Sequence, residues 1–151
     1  MKTISLRYTD KFAPDNGTIG AHQEIIDKKG FVWYGKMGSP ISKKVSKMIL
    51  ENGETCFLLI HSGSFERYWM YIDSISYKQP PADEFPSYYH DLASNFKTWF
   101  RVIRIEDAEK GVMSSCKVIS SGALLSEASR HSMSPYFIIE YDNDKTIPLG
   151  D

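Results

Sequence analysis

Between residues 55 and 120 four runs of β-forming residues follow one another with no helical periodicity between them: 55–61, 67–77, 97–106 and 116–120. A doubly wound sheet alternates strand with helix, so this succession excludes it. The first two runs are joined by His61-Ser62-Gly63-Ser64-Phe65-Glu66, which reads as a hairpin with a several-residue loop. Ahead of them, residues 3–8 alternate Ile4, Leu6 and Tyr8 with polar neighbours, the pattern of a half-buried strand. Ile19, Ala21, Ile25 and Ile26 then form a helical stripe over 18–29, capped by Asn16 or Thr18 and stopped by Gly30. A short aromatic strand at 31–36 precedes Gly38-Ser39-Pro40, which opens a second helix with Ser39 as its cap and Ile41, Val45, Met48 and Ile49 as its buried stripe. Pro80, Pro81 and Pro86 exclude regular structure over 78–86. A short helix at 121–130 and a strand at 136–141 complete the order. The expected fold class is mixed α/β: one domain over 1–151, built on a small mixed sheet curled into a barrel.

Charge and motifs narrow the function by exclusion. Eighteen basic and nineteen acidic residues leave a net charge of −1, so the whole chain carries no strong field. Its lysines are nonetheless clustered: six fall between residues 28 and 50 with no acid among them. No apolar run approaches the roughly 20 residues of a membrane span, and Arg7 and Asp10 interrupt any signal-type segment, so a cytoplasmic protein is expected. Cys56 and Cys116 sit on separate apolar segments without ligand spacing and read as buried free thiols. His22, His61, His90 and His131 are scattered, and Glu106, Asp107 and Glu109 form an ordinary polar turn. No phosphate-binding glycine loop, metalloprotease helix or nucleophile elbow is present. The sequence therefore calls for no catalytic residue, metal or cofactor.

What remains is aromatic residues beside a basic segment. Aromatic side chains make up 13% of the chain. Trp33 and Tyr34 immediately precede the lysine-bearing helix, so a base held near Trp33 would have its phosphates within reach of Lys36, Lys43, Lys44 and Lys47. Tyr88, Tyr89, Phe96 and Trp99 flank a polar segment, and two rings from separate segments make a sandwich for a flat, methylated base. The alternative for Trp33 and Trp99 is the core, the commoner fate of any single tryptophan.

Asp15-Asn16, Ala21-His22-Gln23-Glu24-Ile25-Ile26, Phe31-Val32-Trp33-Tyr34-Gly35-Lys36, the helix 43–50, Cys56-Phe57-Leu58-Leu59-Ile60-His61-Ser62-Gly63-Ser64 and Phe96-Lys97-Thr98-Trp99-Phe100-Arg101-Val102 together resemble the order of elements in YTH domains. These belong with EVE and ASCH domains to the PUA-like superfamily. The resemblance implies a PUA-like pseudo-barrel, a curled mixed sheet flanked by two or three helices, that holds a modified base in an aromatic cage. It matches Trp33 to the first cage wall and Asn16, with Ser62, to base-edge contacts. Where the family carries its second wall this chain offers Tyr88, Tyr89 and Trp99, and Tyr34 stands where the family has a small residue. The implied function is a non-enzymatic reader of nucleic acid, DNA rather than RNA, with Lys36, Lys43, Lys44 and Lys47 on phosphates. Such modules serve as recognition domains, at the amino terminus of larger proteins, in modification-dependent restriction and defence systems whose nuclease or motor lies elsewhere. Two alternatives stand beside it: a small ASCH-like nuclease or base amidohydrolase, and a protein-interaction or sensor module.

Overall fold

The computed structural model describes residues 1–142; the acidic residues beyond Asp142 lie outside them. Seven strands and three helices follow the order β1 (Lys2–Tyr8), α1 (Gly17–Lys29), β2 (Val32–Met37), α2 (Lys43–Leu50), β3 (Cys56–His61), β4 (Arg67–Ser76), β5 (Phe96–Asp107), β6 (Cys116–Val118), α3 (Leu125–His131) and β7 (Tyr136–Tyr141). The strands form one mixed sheet in the order β2-β5-β4-β3-β1-β7-β6. The β1–β3 pair is parallel, because α1, β2 and α2 intervene, and the other pairs are antiparallel. The hairpin expected from residues 55–77 is β3–β4, in register Leu58 to Trp69.

Alternation along the strands separates two cores. Tyr34 and Phe100 are cross-strand partners, and with Leu6, Phe57, Leu59 and Met70 they face α1 and α2. Leu58, Ile60, Trp69, Phe137 and Ile139 face the opposite way, against Leu125 of α3 and Val112 of the segment between β5 and β6. Each fully buried large side chain contributes about 1.5–3 kcal/mol of transfer free energy. Because layers cover both faces, β1 is buried on both from Thr3 to Leu6, not half-buried: Thr3 and Ser5 are as inaccessible as Ile4. The Thr3 hydroxyl is satisfied by the Cys56 carbonyl at 2.6 Å.

All three helix starts differ from the sequence expectation. The side chain of Asn16 makes no cap bond; Asp10 Oδ1 accepts the Thr18 N–H at 2.9 Å, so the preceding loop reaches across to cap α1. Helix α2 begins after Ser42, whose hydroxyl accepts the Val45 N–H, and not at Ser39-Pro40. The third helix is also shorter than expected and starts at Leu125, since residues 121–124 form a turn in which Gly122 has φ of 74°. Gly30 ends α1 in the left-handed conformation, as its position suggested.

The sheet curls without closing. β2 and β6 are its edges, yet Lys36 on β2 brings its ammonium 5.0 Å from the ring of Tyr136 on β7, five places away in the strand order. The open seam between these strands is held by what covers the β2 edge. After β4 the chain runs through three 3-10 turns, Ala82–Glu84, Ser87–Tyr89 and Ala93–Asn95, which gather Phe85, Tyr89 and Ala93 with Phe96 and Trp99 into a third, small core. Gly35 makes that packing feasible: a Cβ at this position would stand 2.4 Å from the Phe96 ring. Gly35→Ala is accordingly expected to destabilise the fold by about 1–3 kcal/mol through overpacking, read as a lower urea midpoint at unchanged slope.

Candidate functional site

A cavity of about 190 Å³ occupies the seam. Strand β1 and the residue after it supply Leu6, Arg7, Tyr8 and Thr9, and β2 supplies Tyr34, Gly35, Lys36 and Met37. Tyr88, Tyr89 and Leu92 come from the 3-10 turns, and Phe12, 52% exposed, stands in the lining from the β1–α1 loop. Among the described residues the lining contains two cations, Arg7 and Lys36, and no carboxylate.

The wall on the β2 side is a hydrogen-bond chain. His22 Nδ1 donates to the Thr18 carbonyl at 2.8 Å, which fixes the tautomer and leaves Nε2 to accept the Tyr89 hydroxyl at 3.0 Å. The same phenol oxygen accepts the outward N–H of Gly35 at 3.4 Å. Tyr89 thus satisfies an edge amide of β2 and ties the turns to α1. His22 is fully buried, and the burial pushes its pKa down to about 4, so it is neutral and serves as a fixed acceptor. Tyr34 is 6% exposed; burial raises its pKa, with Tyr88 and Tyr8 close enough to add to the shift. Among the described residues the Tyr34 hydroxyl has no hydrogen-bond partner. Lys36 is also 6% exposed, and its ammonium donates to the Ser39 and Met37 carbonyls at 2.7 and 3.3 Å. Burial lowers its pKa, and no carboxylate pairs with it among the described residues.

The structure gathers part of the residue set expected from sequence and disperses the rest. Tyr34, Tyr88, Tyr89 and Lys36 line the cavity. Trp33 does not, because successive side chains on a strand face opposite ways; it is half-buried on the other side of β2, with Nε1 donating to Glu84 at 3.1 Å. Trp99 is fully buried with Phe85, Tyr89 and Phe96 and lends no face to the cavity. Asn16 is exposed and donates to Glu24, and Ser62 is exposed on the hairpin, where its backbone N–H holds the Tyr8 carbonyl at 2.9 Å. Lys43, Lys44 and Lys47 are exposed on α2, Lys47 facing Glu51 at 3.9 Å. Sequence reasoning missed Tyr8, Phe12 and Arg7 in the lining and His22 beneath it. Tyr8 and Arg7 read only as parts of a strand, and a single histidine among apolar helix positions carries no signal of the tyrosine it will meet.

Two other clusters are already engaged. Asp10, His61 and Glu66 offer a three-ligand group. His61 Nδ1 accepts the Gly63 N–H, so Nε2 carries the proton that bonds Asp10 at 3.0 Å, while the two Glu66 oxygens accept Ser64 and Tyr68 hydroxyls. Cys56 and Cys116 are buried free thiols whose pKa values burial pushes up to about 12, which leaves them inert. No helix among the described residues is long and apolar enough to cross a membrane.

A protein-family model described as Pua-like matches residues 4–142. No curated protein and no solved structure matches the chain.

The His22 geometry carries a pH dependence. Unfolded, the imidazole titrates near 6.5; folded, near 4. Between these values only the unfolded chain takes up the proton, so stability falls as pH falls, by at most about 1.4 kcal/mol per pH unit and about 3 kcal/mol in all. Urea denaturation between pH 7 and 4.5 is expected to show this slope, and a His22→Gln variant to lack that share of it.

Proposed function

The chain belongs to the Pua-like family, and from that premise we propose that it is a non-enzymatic reader that holds an unpaired, modified base of nucleic acid in the seam cavity. PUA-like domains are a nucleic-acid-binding type of domain. The observation that carries the reading is a small aromatic cavity, walled by Tyr34, Tyr88, Phe96 and Phe12, whose charged lining residues are both cations. At about 190 Å³ it falls below the 300–1,000 Å³ of drug-sized pockets and suits one flat ring. Stacking on such walls is worth about 1–3 kcal/mol per base, and a buried methyl adds about 0.8 kcal/mol. Exposed Lys43 and Lys44 on α2 supply phosphate contacts from outside the cavity.

Among the described residues no carboxylate lines the cavity, which favours binding over hydrolysis: an ASCH-like reaction needs lysine, hydroxyl and carboxylate in one cleft, and the described lining gathers the first two. DNA is the favoured ligand, and the resemblance to EVE-like modules supports a place as the recognition part of a modification-dependent restriction or defence system. The nuclease or motor then belongs to another domain or subunit.

Fluorescence anisotropy at low salt, with single-stranded DNA and RNA carrying unmodified or modified bases, tests this. Binding is expected to weaken as salt rises. Tyr88→Ala and Phe12→Ala should each lose about tenfold in affinity, as expected for a lost stacking wall, whereas Trp33→Ala should bind nearly as the parent does. The reverse pattern, loss with Trp33→Ala alone, would remove the cavity from consideration.

A further inference from the structure

Lys36 is a buried cation without a counter-ion among the described residues. Buried lysines are nearly always paired with an anion. Here two backbone carbonyls take N–H groups of the ammonium and the Tyr136 ring lies 5.0 Å away, but among the described residues no carboxylate balances the charge. Beside it in the lining stands Tyr34, equally buried, with a hydroxyl that has no partner among the described residues. The lysine charge is hydrogen-bonded but has no ion partner there, and the Tyr34 hydroxyl is available to an acceptor in the cavity. Arg7 adds a second positive charge, its guanidinium oriented by the Ser129, Ser132 and Ser134 carbonyls. Two cations, an unused hydroxyl and, among the described residues, no acid form a site suited to an acceptor.

We infer that the cavity selects a planar ring bearing an anionic acceptor, a carboxylate, which Lys36 and Tyr34 hold together. The inference rests on the nucleic-acid reading for the source of that ring, and on the cavity alone for its chemistry. It separates two roles for lysine in this chain. Lys43 and Lys44 are exposed and suit phosphates, which stay at the surface, whereas Lys36 is 6% exposed and belongs with the ring. Charge-assisted bonds to a carboxylate are about twice as strong as neutral ones, so a ring carrying only a methyl group leaves the site's strongest donors idle.

The test uses the full chain and single-stranded DNA with one central 5-carboxylcytosine, 5-methylcytosine, N6-methyladenine or unmodified cytosine. The carboxyl-bearing strand is expected to bind at least tenfold tighter than either methyl-bearing strand, a preference that Lys36→Met reduces to within twofold. Tyr34→Phe keeps the ring and its packing, so it should fold as the parent does and lose several-fold in affinity for the carboxyl-bearing strand only. Equal or tighter binding of a methyl-bearing strand overturns the inference and leaves the nucleic-acid reading standing. A uniform loss across all strands in Lys36→Met, with a shallower salt dependence, overturns it as well by making Lys36 a phosphate contact. Calorimetry with free 5-carboxylcytosine isolates the chemistry of the cavity. Binding of the free ring that Lys36→Met abolishes, with no strand bound, sustains the inference while removing nucleic acid as the ligand, and no binding of ring or strands overturns both.

Discussion

The molecule depends on how its sheet stops short of closure. A seven-stranded mixed sheet with right-handed twist curls, and here the curl brings β2 within reach of β7 without a ladder between them. An unpaired edge with unsatisfied amides is a liability in any sheet. On the β2 side it is answered by a phenol: the Tyr89 ring packs with Phe96 and Trp99 while its hydroxyl takes the Gly35 amide and bonds His22. Gly35 has no side chain to keep Phe96 away, so edge, turns and helix α1 meet at one point. Full closure would have filled the seam with strand; partial closure leaves a cavity whose walls are the supports of the edge.

That arrangement explains the aromatic content. Few of the rings are free to bind anything. Phe85, Tyr89, Phe96 and Trp99 form a separate core outside the main sheet core, and their task is to hold the 3-10 turns where Tyr88 and Leu92 reach the cavity. Trp99 shows the cost of this packing, since its indole N–H is buried without a partner among the described residues. Phe12 differs: it is half-exposed, it lies on a loop, and its ring sits 5.4 Å from the Lys11 ammonium. Loop position and partial exposure are the marks of a residue available to a ligand.

Where the sequence was legible, alternation and turn chemistry carried the information. The β3–β4 hairpin, the long β5 strand and the Gly30 stop follow from residues next to one another in the chain. The mixed sheet flanked by helices follows from the succession of strands and from the resemblance to PUA-like domains. What failed depended on distant partners. Asp10 displaced Asn16 as the cap of α1 because the loop folds back, and β1 is buried on both faces because β7 and α3 return from the far end of the chain. The lining of the cavity was half legible for a related reason: adjacency in sequence placed Trp33 and Tyr34 together, while strand geometry puts them on opposite faces. Composition identified the rings and lysines but not which of them share a cavity.

The contrast between Lys36 and its neighbours on α2 shows what burial adds to a count of charges. By sequence Lys36, Lys43, Lys44 and Lys47 are one basic cluster; in the fold one is buried and three are solvated. A solvated lysine is strongly screened and contributes little to selectivity, whereas a charge held in a low-dielectric cavity interacts strongly with whatever enters. A methionine at position 36 would fill the same space without leaving an ammonium in need of an anion, so packing alone does not account for lysine there. Orphaned polar groups in otherwise satisfied interiors concentrate where a ligand completes the set. The Lys36 ammonium, hydrogen-bonded but without an ion partner among the described residues, and the Tyr34 hydroxyl stand in one cavity, and the unclosed sheet is what brings them together.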